Sequence, residues 1–364
     1  MGKIFFDSTQ KLYQKIGKEE IKGLTVPAFN IRTLTYDTAR VIFRTAKKNK
    51  VGAFIIELAE SEIDYTNQSF KKYSSVVFKA AKKENFKGPI FLQGDHFKIG
   101  KDLGKIKKLI KEAVKVGFYN IDIDGSNLPI KENYKKTAEI TSFIRKIEPK
   151  RITISIGGEI GIIGGENTKI FEYEDFISGY RQELLKYGDL KGLIKVAIQT
   201  GTSHGGLMLS SGKLEEPKED FEILATISQE ARRFKMAGAV QHGASTLPDN
   251  YFKRFPEIGC CEIHLATAFQ NVVFESEYFP EKLRERIYNW LKEKYKEEKK
   301  KNESEIQFIY RLRKNGLGPF KKEISKMPRK NINKICEELG TRFEFFFKSL
   351  NVCNTSDLIK KIYN

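Results

Sequence analysis

Short apolar runs alternate with longer amphipathic stretches along most of the chain. Runs rich in Ile, Val, Leu and Phe occur at TVPAFNI (25–31), AFIIELA (53–59), PIFLQGD (89–95), NIDIDG (120–125), ITISIGGE (152–159), LIKVAIQTGT (193–202), AGAVQHGAS (237–245) and CCEIHLAT (260–267). Runs of this length suit strands buried on both faces of a parallel sheet. Between them, 36–50 carries Ala39, Val41, Ile42 and Ala46, and 104–117 carries Ile106, Leu109, Ile110, Ala113 and Val114, spacings that predict helices with one apolar face. Strand–helix alternation repeated in this way predicts an α/β fold, a (β/α)8 TIM barrel, with a doubly wound open sheet as the alternative. The stretch 160–190, glycine-rich and then polar, reads as an active-site loop.

After residue 275 the pattern changes. FPEKLRERIYNWLKEKYKEEKKKNESEIQFIYRLRKNG is charged and helical in character, and NINKICEELGTRFEFFFKSL (331–350) is amphipathic and aromatic-rich. The expected organisation is a barrel catalytic domain over 1–275 and a helical C-terminal extension over 276–364. FEFFF (343–347) is expected to bury either against its own barrel or at a subunit interface.

Composition narrows the class. With 364 residues and 40% hydrophobic content the chain can bury a large core. It has no apolar run long enough to span a membrane, and the N-terminus MGKIFFDSTQKLYQKIG lacks both a signal-peptide core and a myristoylation pattern. Cys260, Cys261, Cys336 and Cys353 form no C-x-x-C pair, which points to a reducing, cytoplasmic setting. The net charge of +18 would suit a polyanion such as RNA. The basic residues are, however, spread over nearly every predicted helix and mixed with Glu, dense only at KEEKKKNES. That is the pattern of solvated helix faces, and it argues against nucleic acid as the partner. A basic surface also steers phosphorylated substrates toward a cleft.

Against this frame the four histidines stand out. Active sites of such barrels lie at the carboxyl ends of the strands. Asp95 and His96 end the third predicted strand, Asp124 the fourth and Glu159 the fifth, with His204 after the sixth and His242 after the seventh. A lone histidine is more often a satisfied core residue. Three at strand ends, each beside Gly or Asp, suit Zn2+ or a similar divalent ion with an open coordination position. No Cys stands near them to complete a closed structural site. GTSHGG and HGAS also present backbone N–H groups and hydroxyls of the kind that cradle phosphate. Thr267, after the eighth strand, falls where phosphate sites of these barrels often lie.

The sequence here resembles the class II, metal-dependent fructose- and tagatose-bisphosphate aldolases. The matching pieces are VPAFNI (26–31), GDH (94–96), IDIDGSNLP (121–129), GGEIGIIGGE (157–166), GTSHG (201–205), HGAS (242–245) and IHLATA (263–268), in order from about 25 to 275. The resemblance implies that His96, His204 and His242 hold a catalytic Zn2+, with Co2+, Mn2+ or Fe2+ as alternatives, and that Asp124 and Glu159 hold a second or displaced metal. Asp95 would move the proton on the C4-hydroxyl side, and Glu166 would be a further proton carrier on a loop. Gly205, Gly243, Ala244, Ser245 and Thr267 would cradle the C1 phosphate, beside a monovalent cation, and Asn30 would contact substrate. The implied reaction is reversible cleavage of fructose or tagatose 1,6-bisphosphate to dihydroxyacetone phosphate and glyceraldehyde 3-phosphate, in a homo-oligomer (dimer or tetramer). The chemistry agrees: cleavage leaves a carbanion beside a carbonyl, and a divalent ion can spread that charge without a Schiff-base lysine.

Several positions depart from the family pattern. Gly206, Leu207 and Met208 stand where Lys or Tyr-Lys is usual, and HGAST replaces HGGSG. His264 aligns with a substrate-touching asparagine and is itself a candidate for contacting substrate or metal. Asn167 replaces a second glutamate, and Ala59 stands near an expected serine, with Ser61 two residues on. ATAF is closer to the tagatose type. A different sugar phosphate, or a non-catalytic basic RNA-binding descendant, are the alternative readings.

Overall fold

We describe the chain from a computed structural model covering residues 3–162, 164–203, 205–209, 211–215 and 219–363. The strands are β1 (Ile4–Asp7), β2 (Val26–Asn30), β3 (Ile55–Ala59), β4 (Gly88–Lys98), β5 (Asn120–Asp124), β6 (Ser155–Glu159), β7 (Lys195–Ile198), β8 (Gly238–Gln241) and β9 (Glu262–Leu265). β2 through β9 pair in parallel as a ring, and β9 returns to β2, so the sheet closes into a (β/α)8 barrel. Each predicted apolar run supplies one ring strand, and every residue of β2, β3, β5, β6, β7, β8 and β9 is buried. That burial explains why these runs are nearly continuous rather than alternating.

β1 lies outside the ring. It pairs only with Gly88–Phe91 at the start of β4, on the edge that β5 takes up from Gln93. Four half-buried residues give too short a pattern to read from sequence.

The predicted helices occur at Thr35–Lys48 and Leu103–Val114. The stretch 160–190 is different from expectation, because most of it is the helix Ile170–Leu185. Tyr173, Phe176, Ile177, Tyr180 and Leu184 form its buried face, a stripe that the surrounding polar residues obscure. The stretches on either side of it are irregular.

The C-terminal region is helical and folds back on the barrel. The charged run divides into Glu281–Lys294 and Glu305–Leu312. Ser304 sets the second start: its Oγ accepts from Gln307 N at 3.3 Å, and the Gln307 side chain accepts from Ser304 N at 2.9 Å. The helix Arg329–Ser349 then carries Phe343, Phe346 and Phe347 into the core. Phe343 stacks on Phe269 at 4.4 Å and meets Phe29 of β2 edge-on at 5.1 Å. The FEFFF patch is therefore buried within its own chain. The last helix, Ser356–Tyr363, is tied to the N-terminal segment by the Tyr363 hydroxyl, which donates to Ser8 O at 2.7 Å.

Candidate functional site

Asp95 and His96 are adjacent, so in a regular strand their side chains would point to opposite faces. A bulge prevents this. Between β4 and β5 the register runs Gly94 to Ile121 and then Phe97 to Ile123, three steps against two. His96 takes the left-handed conformation at φ 50° inside the bulge. Bulges re-aim side chains next to sites in this way, and both Asp95 and His96 line one cavity of about 540 Å³ at the barrel mouth.

Asp124 and Glu159 reach the same cavity as the last residues of β5 and β6, and His242 directly follows β8. His96 Nδ1 lies 2.9 Å from Glu159 Oε2 and 3.4 Å from Asp124 Oδ2. His96 Nε2 lies 3.0 Å from His242 Nδ1. Asp95, His96, Glu159 and His242 each offer one ligand atom, all within 4.8 Å of one another. Glu159 Oε1 is buried without a hydrogen-bond partner among the described residues. This donor set fits a divalent ion. His204, the remaining predicted ligand, lies outside the described residues.

The electrostatics are those of buried charges at close range. Burial, with Asp124 and Asp95 nearby, raises Glu159 to about 8, although His96 opposes the shift. Burial pushes Asp124 up as well, but hydrogen bonds from His96 and Ser126 hold it below the usual carboxylate value. Burial would lower His96, yet Asp95 and Glu159 hold it well above an ordinary imidazole.

Gly205, Gly243, Ser245 and Thr267 line the same cavity. Gly243 has φ 70°, and a Cβ there would stand 2.8 Å from Thr202 Oγ1, so only glycine fits. Ser245 Oγ accepts from Ala266 N at 2.8 Å and ties the two loops together. Ala244 is fully buried and does not line the cavity. Asn30 does, and its amide donates to Glu62 Oε2 at 3.1 Å and Asp95 Oδ2 at 3.4 Å. Glu166 is exposed on the loop after β6 and is not among the lining residues.

Three cationic residues at the mouth, Arg32, Lys98 and Lys314, escaped the sequence reading. Arg32 follows β2, donates to Glu62 Oε1 at 2.6 Å and reaches Thr267 Oγ1 at 3.2 Å. Lys314 comes from the C-terminal region and lines the same cavity. Arg32 stands two residues beyond Asn30, so its side of the strand was readable. Lys314 has no such signal, because only tertiary packing brings it to the mouth. The neighbouring helix also touches the loop after β7: the Tyr310 hydroxyl donates to Gly205 O at 2.8 Å and Gln307 Nε2 to Met208 O at 2.7 Å.

Beneath the mouth lies a second polar layer, also missed. It holds Glu57, Gln93, Asp122, Lys195 and Glu262, all fully buried or nearly so, with His264 above them. Lys195 Nζ donates to Gln93 Oε1 at 2.8 Å, Asp122 Oδ2 at 3.0 Å and Glu262 Oε1 at 2.5 Å. Tyr13 donates to the other Glu262 oxygen. Gly157 leaves room for this cluster, since a Cβ there would stand 2.3 Å from Asp122 Oδ1 and 2.9 Å from Lys195 Cε. The signal was period two: Gln93/Asp95, Asp122/Asp124 and Glu262/His264 are pairs on one face of a strand.

Fold and site together define a (β/α)8 barrel with a histidine–carboxylate centre beside glycine, serine and threonine loops. The profile of the family "Fructose-bisphosphate aldolase class-II" matches residues 8–316. The chain belongs to that family. Its typical members depend on a divalent metal and act on phosphorylated sugars. Solved structures share the fold at low identity. Fructose-bisphosphate aldolase of Campylobacter jejuni aligns at 18% identity and TM-score 0.59, covering 97% of each chain. A putative fructose-1,6-bisphosphate aldolase from Coccidioides immitis aligns at 18% and 0.56, over 95% of this chain and 97% of that one. A probable tagatose 6 phosphate kinase from Sinorhizobium meliloti aligns at 14% and 0.64, over 93% and 99%.

Proposed function

We propose that this chain is a divalent-metal-dependent ketose-bisphosphate aldolase, cleaving fructose or tagatose 1,6-bisphosphate to dihydroxyacetone phosphate and glyceraldehyde 3-phosphate. One observation carries the reading: Asp95, His96, Glu159 and His242 converge in a cavity also lined by Gly205, Gly243, Ser245 and Thr267. A metal–phosphate pair of sites on one mouth is what a phosphorylated ketose needs.

In this reading His96 and His242, with His204, hold Zn2+ or a similar ion, and Asp124 and Glu159 are carboxylates for a displaced or second position. The ion supplies a Lewis acid for negative charge developing beside a carbonyl. Asp95 takes the C4-hydroxyl proton. Its buried carboxyl stays ionised because His96 and His264 outweigh the effect of burial, so it can act as the base. Asn30 orients Asp95 and the substrate. Gly205, Gly243, Ala244, Ser245 and Thr267 shape the C1-phosphate loops, with room for a monovalent cation, and Ala244 acts from behind by packing. Arg32 adds a positive charge within hydrogen-bonding reach of Thr267, which suits an anionic substrate. His264 contacts the substrate from below. Glu166 would reach it only after movement of its loop.

We further propose a cytoplasmic homo-oligomer, consistent with the four free cysteines, and a functional division between the barrel (1–275) and the helical extension (276–364). The test is cleavage of both bisphosphates by metal-replete protein with and without EDTA. Triose phosphate formation lost in EDTA and restored by Zn2+ is the expected result. No cleavage of either sugar by metal-loaded protein would overturn the substrate assignment and favour another sugar phosphate.

A further inference from the structure

His264 lies between two groups of acids. Its Nε2 faces the floor, 2.6 Å from Glu262 Oε1, whose charge Lys195 already balances. Its Nδ1 faces upward, 3.2 Å from Glu57 Oε2 and 3.2 Å from Asp95 Oδ1. No lysine or arginine pairs with Glu57 or Asp95 among the described residues. His264 Nδ1, Asp95 Oδ1 and Glu57 Oε1 are buried without a hydrogen-bond partner there, while Glu57 Oε2, the oxygen nearer His264 Nδ1, accepts from Gln93 Nε2 at 2.9 Å. Glu57 is 0% exposed, Asp95 3% and His264 5%, so water does not screen them.

A histidine whose far nitrogen donates to a carboxylate has its other lone pair fixed and aimed. That is the arrangement in which metal-bound histidines are commonly held. Here the lone pair faces two carboxylates, an arrangement that repels unless a cation stands among them. A separation of 3.2 Å between donor atoms is close to the edge of a tetrahedron with bonds of about 2.0 Å.

We propose that Glu57, Asp95 and His264 form a second divalent-cation site, directly beneath the centre of His96, His242 and Glu159. The two sites share Asp95. Its Oδ1 faces the lower ion, while Oδ2 stays toward Asn30. His242 stacks on His264 at 4.0 Å between ring centroids, so the two sites are adjacent. The ion reaches the lower site through the mouth cavity, which Asp95 and His264 both line. The competing occupant of the same position is a proton on His264.

Metal-stripped full-length protein titrated with Co2+ and with Zn2+, read by optical absorption and elemental analysis after gel filtration, decides between them independently of any activity. Two equivalents per chain are expected for the wild type. Glu57→Gln and His264→Asn should each bind one, and His242→Ala should weaken the upper equivalent while keeping the lower. Circular dichroism melts identify variants that fail to fold, and a second equivalent that Asp124→Asn removes while Glu57→Gln keeps it would belong to the upper carboxylates and overturn the lower site. One equivalent in the wild type, or two undiminished equivalents in both Glu57→Gln and His264→Asn, would overturn the second site. The aldolase reading would survive either result, since it needs only the upper centre.

Discussion

The mouth and the floor of this barrel are built from the same strands, yet a buried glutamate in each is pushed in the opposite direction. On β6 the last residue, Glu159, is raised to about 8 by burial and by Asp124. On β9 the buried Glu262 is lowered to about 2: burial opposes the shift, but Lys195 and His264 overcome it. The difference lies in the cation supplied. The floor has Lys195, whose ammonium bonds Asp122, Glu262 and Gln93. Around Glu159 stand His96, Asp124 and Asp95 instead, while Arg32 and Lys314 sit elsewhere on the same cavity. Lys195 gives the floor acids Asp122 and Glu262 an internal cation, and the acids and imidazoles around Glu159 form a donor set that an external cation completes.

The largest effect on this contrast should come from the mouth. Asp95→Asn keeps shape and removes the base. We expect kcat to fall by about 10²- to 10⁴-fold, with KM changed far less and thermal stability nearly kept. An equal loss in KM alone would place Asp95 in binding and not in proton transfer.

The floor should answer with stability. Lys195→Met leaves Asp122 and Glu262 buried without their cation, a change of about 3–5 kcal/mol. Denaturant unfolding of metal-free protein would measure it. A loss under about 1 kcal/mol would show that the acids neutralise themselves by taking up protons.

Glu159 should also give a pH slope of the opposite sign to Glu262. Glu159 holds its proton in the folded state up to about 8, while the unfolded chain releases it near 4.5. Between those values the folded protein binds more protons, so stability falls as pH rises, by up to about 1.4 kcal/mol per unit. Glu262, at about 2 folded and 4.5 unfolded, contributes stability above 4.5 that is lost as pH falls through 2. Glu159→Gln should reduce the high-pH slope of the metal-free protein, to which the raised His96 and His264 also contribute, and leave the acid limb intact. Unfolding curves from pH 2 to 9 would show it.

Smaller effects should come from the rim. Arg32→Met should raise KM for a bisphosphate about tenfold with kcat changed less, through loss of a charged hydrogen bond. Its salt bridge to Glu62 makes a stability control necessary. Tyr310→Phe removes one hydrogen bond to Gly205 O and should loosen the loop after β7. We expect a loss of about 1 kcal/mol or less in stability, and faster metal release in a chelator chase.

The eight ring strands were legible because burial on both faces leaves continuous apolar runs, and the strand-end acids and histidines were legible because they interrupt those runs. Lys195 and Asp122 were hidden by the same logic. Inside LIKVAI and NIDIDG they look like polar breaks in a strand, and nothing local says that the two meet. The helix at Ile170–Leu185 was hidden by its exposed face.

By itself the sequence determined the eight strands, the barrel as the preferred fold over an open sheet, and a set of candidate donors at the strand ends, because each depends on local periodicity or on position at a strand end. Tertiary structure alone decided three things. It placed FEFFF against β2 and Phe269, where the sequence left its own barrel and a subunit interface open. It brought Lys314 and Tyr310 from the C-terminal helices to the mouth and its loop. It set the charge of each buried acid, which depends on what stands within a few ångströms across the ring, a distance that no spacing along the chain records.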